Sequence, residues 1–263
     1  MRTLTDLRVE IDALDAELLR LVDRRAALGR EIGEAKARDS LSQDQSSLLR
    51  PDREAMLMRK LIAMPRGNAS AEVVVRIWRE LISENLRIQG ESFGGLTLNL
   101  SAKDQSREVL LWARERFGFA PSYTYLDDPA AVIAVTRDVR HLGVLSLDPR
   151  GGAWWARLLA EPKVRIIAAL PEMTAGRPHA VAIAAIAPEP TGDDLTFWVS
   201  DAPVNENRMI ETLSQRGFAA EWLCTAQGLK LFGLSGYVQE NDPRLGDAPL
   251  GSLSGVIGAA PRI

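Results

Sequence analysis

The chain has 263 residues, of which 46% are hydrophobic and 25% charged, the composition of a folded protein with one or two domains. Its net charge of −3 leaves no basic excess to neutralise nucleic-acid phosphates, and no apolar run is long enough to cross a bilayer. The charged first ten residues do not form a secretory signal, and the single cysteine, Cys224, excludes an internal disulfide, so we expect a cytoplasmic protein without nucleic-acid or membrane partners.

The two histidines, His141 and His179, stand far apart in the sequence. A metal site of the zinc type needs several His, Cys or carboxylate ligands close together, and a Ser–His–Asp arrangement needs a histidine base. We therefore expect no metal, no cofactor and no histidine-driven nucleophilic catalysis.

The character of the sequence changes near residue 91. Residues 1–90 show helical periodicity almost throughout, whereas short apolar runs alternate with helical patterns from residue 96 onward. The glycines in 91–95 separate the two parts. We therefore predict a helical domain at 1–90, an α/β or α+β domain at 91–240, and a loosely ordered tail, rich in Gly, Pro, Ala and Ser, at 241–263.

The first predicted helix carries an apolar stripe with alternating four- and three-residue steps. Thr3 or Thr5 caps its start, and the helix continues to about Arg38. At ~1.5 Å per residue its length is roughly 50 Å, too long for one small domain to bury, so a second copy of the chain is the expected partner. The stripe consists of Leu7, Ile11, Leu14, Leu18, Leu21, Leu28 and Ile32.

Two shorter helices follow. Pro51, at a position that favours proline, begins the second helix, which ends before Pro65. Ser70 caps the third helix, which ends near Gln89. The apolar stripe of the third helix is Val74, Ile77, Trp78, Leu81, Ile82 and Leu86.

Four polar residues interrupt these apolar faces. Arg25 stands where the stripe of the first helix calls for an apolar residue, and Lys36, eleven residues later, shares its side of the helix. Asn85 and Gln89 continue the face of the third helix one turn apart. Taken singly, each of these is more often a surface residue, since charged and amide side chains are mostly exposed. Together they predict a polar site inside the bundle, because an unpaired buried charge costs several kcal/mol unless an anion meets it.

These three segments resemble the all-helical chorismate mutases, and in particular the mutase portion of bifunctional chorismate mutase–prephenate dehydratases. The resemblance rests on 7–36, 50–61 and 77–89 and covers most of residues 4–90. It implies a three-helix domain that forms an intertwined homodimer. The implied activity is the isomerisation of chorismate to prephenate in the shikimate pathway to phenylalanine and tyrosine.

The resemblance also implies roles for individual residues. Arg25 and Lys36 would hold the substrate carboxylates. Lys36 and Gln89 would donate to the ether oxygen, and Glu54 would accept a hydrogen bond from the ring hydroxyl.

Further residues would complete the site. Arg8 would reach the active site of the other subunit, Arg53 would line the site, and Asn85 would face a carboxylate. Two positions depart from some members of the family, since Asn85 replaces a serine and Arg50 replaces an aspartate. These replacements leave the role of Arg50 open.

The implied chemistry suits these residue types. The rearrangement is a unimolecular Claisen shift, which needs neither a nucleophile nor a proton transfer. A protein accelerates it by holding the compact conformer and by stabilising charge on the ether oxygen as the C–O bond breaks. A guanidinium grips a carboxylate with two hydrogen bonds, and a lysine or glutamine can donate to the ether oxygen.

The second half reads as a layered β–α unit followed by a β-α-β-β run that resembles a small regulatory ACT-like module. The strands are predicted at 96–100, 122–126, 141–147, 164–170, 180–187, 193–201, 218–224 and 229–238. The helices are predicted at 104–117, 128–138, 152–160 and 204–216.

This half resembles a shortened or diverged prephenate dehydratase and regulatory region. It lacks the Thr-Arg-Phe motif of the dehydratases in the corresponding stretch, 176–184, so we expect no dehydratase activity. His179 is interpreted as a structural residue at a strand edge. The glycines 151 and 152 are interpreted as the turn before a helix that Trp154 and Trp155 pack, rather than as a ligand turn.

Three classes of function remain open at this point. The first is a mutase whose second half is regulatory or structural, with an aromatic amino acid as an effector, or a bifunctional mutase–dehydratase. The second is an isochorismate pyruvate lyase-like enzyme that uses the same cationic residues. The third is a non-catalytic ligand sensor, which the retention of Arg8, Arg25, Lys36, Arg53 and Gln89 disfavours.

Overall fold

The computed structural model describes residues 2–39, 48–91, 94–103, 107–173, 176–246 and 250–263. Three helices are followed by a domain of nine strands, which confirms the predicted fold class. The helices are α1 (Leu4–Asp39), α2 (Pro51–Ala63), α3 (Ala71–Gly90), α4 (Arg107–Phe117), α5 (Pro129–Val135) and α6 (Glu206–Gln215). The strands are β1 (Thr97–Ser101), β2 (Ser122–Leu126), β3 (His141–Ser146), β4 (Arg165–Leu170), β5 (Ala180–Ala184), β6 (Asp194–Ser200), β7 (Ala220–Ala226), β8 (Leu229–Ser235) and β9 (Ser254–Pro261).

The helix starts follow from local side-chain chemistry. The Thr3 hydroxyl accepts a hydrogen bond from the Asp6 backbone N–H, and the Asp6 carboxylate accepts one from the Thr3 N–H, a reciprocal cap that starts α1. The Ser70 hydroxyl accepts from the Val73 N–H at the start of α3. Pro51 occupies the first turn of α2, as predicted.

Only the C-terminal part of α1, from about Arg25, has a partner within the described part of the chain. There it packs along α3, and Gly29 and Gly33 are buried. The apolar stripe before this region faces solvent: Ile11, Leu14 and Leu18 are 56%, 55% and 58% exposed. The predicted stripe is therefore present on α1, and no described residue of the same chain covers it.

The second domain is built on one nine-stranded sheet in the order β2-β1-β3-β5-β4-β9-β6-β8-β7. Strand β1 pairs in parallel with both β2 and β3, and most of the remaining pairs are antiparallel. The β1-α4-β2-α5-β3 unit and the β6-α6-β7-β8 run agree with the predicted elements.

One expectation about this domain is wrong. Residues 254–261 are not a loose tail but form β9, which lies between β4 and β6 with Ile257 and Ala260 fully buried. Small residues suit this strand because the backbone of β4 passes so close that a Cβ on Gly258 would overlap Ile166. The helix predicted at 152–160 is present as a 3₁₀ helix, Trp154–Ala160, with both tryptophans buried.

Helix α2 connects the two domains. The guanidinium of Arg59 donates to the carbonyl and hydroxyl oxygens of Thr191 and to the carbonyls of Asp193 and Arg262, at 2.6–2.8 Å. These bonds tie α2 to the start of β6 and the end of β9. Within the described residues, no helix combines the length and the apolar character needed to cross a membrane.

Candidate active site

The site begins with an unusually close approach of α1 and α3, which we call the α1/α3 seam (Arg25, Gly29 and Gly33 facing Leu81, Asn85 and Gln89). A Cβ placed on Gly29 would lie 2.7 Å from Asn85 Oδ1, and one placed on Gly33 would lie 3.2 Å from Gln89 Cγ. Both helices advance by four residues along the seam, so they run parallel. Glycine at these two positions brings the amides of α3 against the backbone of α1.

Arg25 is half-buried at one end of the seam. Its Nη1 donates to the Leu81 carbonyl at 2.6 Å, and burial lowers the pKa of Arg25. No carboxylate in the described part of the chain forms an ion pair with it. A guanidinium that is partly desolvated and unpaired is a site for an anion.

The two amides of α3 lie along the same seam. Gln89 is 8% exposed and Asn85 is half-buried. Neither side chain has a hydrogen-bond partner among the described residues. Buried amides normally have partners, so these two are placed to meet a ligand.

Two other expected site residues lie away from the seam, and a third has no described side chain. Arg8 is exposed on α1, seventeen residues before Arg25 and thus about 25 Å along the helix axis, beyond the reach of the seam of its own chain. Arg53 is exposed on α2. Position 36 lies on the Arg25 side of α1, but the Lys36 side chain lies outside the described residues, so its role stays a prediction.

Glu54 lies in a different environment, a buried ion cluster (Glu54, Arg79, Arg116 and Glu172). Glu54 Oε2 accepts from Arg79 Nη1 at 2.8 Å and from Arg116 Nη1 at 2.7 Å. Arg79 Nε donates to Glu172 Oε2 at 2.9 Å, and Arg116 Nε lies 3.1 Å from Glu172 Oε1. Two carboxylates balance two guanidinium groups, so the cluster is neutral although both arginines are nearly inaccessible.

The ion cluster and the α1/α3 seam lie on different sides of α3. At about 100° per residue, Arg79 and Ser83 point on average roughly 120° away from Asn85 and Gln89. The Ser83 hydroxyl accepts from the Ala120 N–H, which places this side of α3 against the loop after α4. The structure therefore does not bring Glu54 together with Arg25, Asn85 and Gln89, and its expected contact with a substrate stays a prediction.

Sequence reasoning missed several of these residues. The four-residue spacing of Gly29 and Gly33 is a sequence signal of close helix packing that could have indicated this contact. Arg79 is a charged residue within the apolar third helix and was also visible. Nothing local marked Arg116 and Glu172, which reach the cluster from α4 and from the loop after β4. Arg50, whose role was open, pairs with Asp52 at 2.9 Å.

Comparisons with known proteins assign the helical part of this chain to a family. Residues 7–90 match the family described as chorismate mutase type II. Proteins named bifunctional chorismate mutase/prephenate dehydratase are similar: that of Aquifex aeolicus is 36% identical over 128 residues and that of Neisseria gonorrhoeae is 35% identical over 82 residues. A T-protein from Haemophilus influenzae is 32% identical over 100 residues.

These similarities are confined to part of each protein. They cover 47%, 31% and 38% of this chain, and 33%, 21% and 25% of the three relatives in the same order. The chain thus spans about a third or less of the length of the curated relatives it matches. No solved structure shows significant similarity to it.

The ion cluster yields a stability prediction. Arg79→Met leaves two buried carboxylates with one guanidinium, so the free energy of unfolding should fall by about 3–5 kcal/mol in urea denaturation. Arg87→Met is the matched control on the same helix, since Arg87 forms exposed ion pairs with Glu84 and Glu91, and its effect should stay under about 1 kcal/mol. Equal effects of the two substitutions would contradict the described cluster.

Proposed function

We propose that the chorismate mutase type II domain at residues 7–90 rearranges chorismate to prephenate, a step of aromatic amino acid biosynthesis. The observation that carries the proposal is the α1/α3 seam, where a guanidinium without an ion pair and two amides without hydrogen-bond partners among the described residues lie along one helix contact. Chorismate is a dianion with an ether oxygen, and this set of groups matches its charges and its acceptor.

Each seam residue has a different contact with the substrate in this proposal. Arg25 binds a carboxylate with two parallel hydrogen bonds and so favours the compact conformer. Gln89 is buried, so its amide N–H meets the ether oxygen in a water-poor setting, where one donor counts for more than in water. Asn85, between them, takes the second carboxylate or its bound water.

Lys36 adds the second ether-oxygen donor in this proposal. It lies three turns beyond Arg25 on the same side of α1, so it follows Gly33 and approaches the end of the seam at Gln89. Arg53 and Glu54 keep only the roles that family resemblance implies.

The active form is proposed to be a homodimer. The exposed stripe of α1 needs an apolar cover, and a second α1 supplies one with the same periodicity. Arg8, about 25 Å from the seam of its own chain, then serves the site of its partner. A monomer in sedimentation measurements at assay concentrations would contradict this arrangement.

The experiment is a chorismate-consumption assay with the full chain, followed by product analysis. Prephenate should form, and acid treatment should then convert it to phenylpyruvate. Phenylpyruvate before acid treatment would reveal dehydratase activity, and pyruvate released from isochorismate would favour the lyase alternative.

Lys36→Ala should lower turnover by about two to three orders of magnitude, because the loss of one such donor raises the barrier by roughly 3–4 kcal/mol. Arg38→Ala is the matched control, since Arg38 is exposed and binds the Glu34 carbonyl of its own helix. Near-normal turnover in Lys36→Ala, with the control unchanged, would remove Lys36 from the mechanism.

The α/β domain is proposed to regulate the mutase, with an aromatic amino acid as effector. Its support is the ion cluster, which joins α2 and α3 directly to α4 and the loop after β4. Phenylalanine, tyrosine or tryptophan should change the mutase rate or the melting temperature. Unchanged values with all three would reject this role.

A further inference from the structure

A second cleft lies in the α/β domain, remote from the α1/α3 seam. Its volume is about 810 Å³, within the range of small-molecule sites. The inner wall includes Ser101 and Ser146, the last residues of β1 and β3. The opposite wall includes Trp222 and Cys224 of β7, the strand at the other edge of the sheet.

The chain topology makes this cleft a natural ligand site. After β1 the chain passes to α4, whose Val109 and Ala113 pack with Leu98 and Leu100 on one face of the sheet. After β3 the chain passes to a 3₁₀ segment whose tryptophans pack on the other face, with Leu145, Val132 and Ile133. The connections after two adjacent parallel strands thus diverge to opposite faces. Open α/β sheets bind ligands at such points, outside the carboxyl ends of the strands.

The walls of the cleft are rich in aromatic rings. Trp112 of α4 stacks on His179, with ring centroids 5.5 Å apart and planes inclined by 24°. Trp222 faces them from β7, and its Nε1 is already bonded to the Thr225 hydroxyl. Rings arranged in this way bind a flat or unsaturated ring through stacking and burial.

The cleft also offers one unpaired positive charge. Arg177 lies over the Trp222 ring, 4.7 Å from its centroid, and no carboxylate in the described residues forms an ion pair with it. Arg150 is held by Asp148, and Lys103 lies 3.5 Å from Asp128, so those cations are already compensated. An anionic group on a ligand therefore pairs with Arg177 in preference to the others.

We infer that this cleft binds a small carboxylate that carries a flat or unsaturated ring. The ring lies among Trp112, His179 and Trp222, and the carboxylate pairs with Arg177. Burial raises the pKa of the Cys224 thiol to about 12, so this wall supplies no thiolate and the site binds its ligand non-covalently. This binding site shares with the proposed regulatory role the premise that the α/β domain binds a ligand. It does not require that the ligand changes mutase activity.

Direct binding tests the inference. Tryptophan fluorescence of the full chain is titrated with phenylacetate, which has a ring and a carboxylate, with L-phenylalanine, which adds an ammonium group, and with phenethylamine, which lacks the carboxylate. Phenylacetate or L-phenylalanine should give a saturable change, and phenethylamine should not. Binding of L-phenylalanine alone identifies an amino acid as the ligand class, whereas tighter binding of phenylacetate identifies an acid without an amine.

Arg177→Gln should weaken the binding by about tenfold or more, because a charged hydrogen bond is lost at an exposed position that does not support the fold. Arg208→Gln, an exposed arginine on α6 paired with Glu211, should leave the affinity unchanged. No saturable change with either acid, equal binding of phenethylamine, or unaltered affinity in Arg177→Gln would overturn the inference. Mutase turnover is measured separately on the same samples, so a failure of ligand binding to the cleft can be distinguished from an absence of mutase activity.

Discussion

The length of α1 governs the architecture of the helical domain. A helix of 36 residues spans about 54 Å, and the described residues of its own chain cover it only from about Arg25 onward. Burial of one leucine or isoleucine side chain stabilises a structure by about 1.5–3 kcal/mol. Burial of the exposed stripe against a second chain would therefore contribute a large free energy of association. The same helix carries Arg8 on its exposed part and Arg25 on the part that packs against α3. One element thus provides both the dimer surface and one wall of the proposed site.

Helix α3 links the proposed site to the α/β domain, because two of its sides make contacts. One side meets Gly29 and Gly33 of α1, and its Asn85 and Gln89 amides have no hydrogen-bond partner within the described part of the chain. The other side places Arg79 in the ion cluster with residues of α2, α4 and the loop after β4. A buried cluster of this kind is weak support for high stability, but removal of one member is costly because it leaves an uncompensated charge. The α/β domain therefore fixes the position of α2, and with it the position of Glu54.

Much of the helical domain was accessible from sequence because its determinants are local. Caps such as Ser70, a proline at Pro51 and the periodic stripe of α1 act within a few residues. Arg25, Asn85 and Gln89 were found as interruptions of apolar faces, and the structure brings these three together. Glu54 was assigned by resemblance alone, and its partners Arg79 and Arg116 lie 25 and 62 residues away, which no local pattern reveals.

The α/β domain was less accessible for the same reason. Its alternating elements were predicted, but β9 was missed because its composition resembles a tail and its partners β4 and β6 are distant in sequence. The cleft between β1, β3 and β7 depends on sheet order and curvature, which periodicity does not specify. His179 and the turn at 151 and 152 were interpreted as structural, and only the folded arrangement places His179 and Gly151 on a cleft wall.

The central claim is that each mutase site combines the α1/α3 seam of one subunit with Arg8 of another. It is tested most directly by mixing two inactive variants, Arg8→Ala and Lys36→Ala, through co-refolding and measuring chorismate consumption. Equal mixing makes about half of the dimers mixed, and each mixed dimer has one intact site of two, so activity should return to about a quarter of the unsubstituted level. A mixture no more active than either variant alone would contradict the shared site.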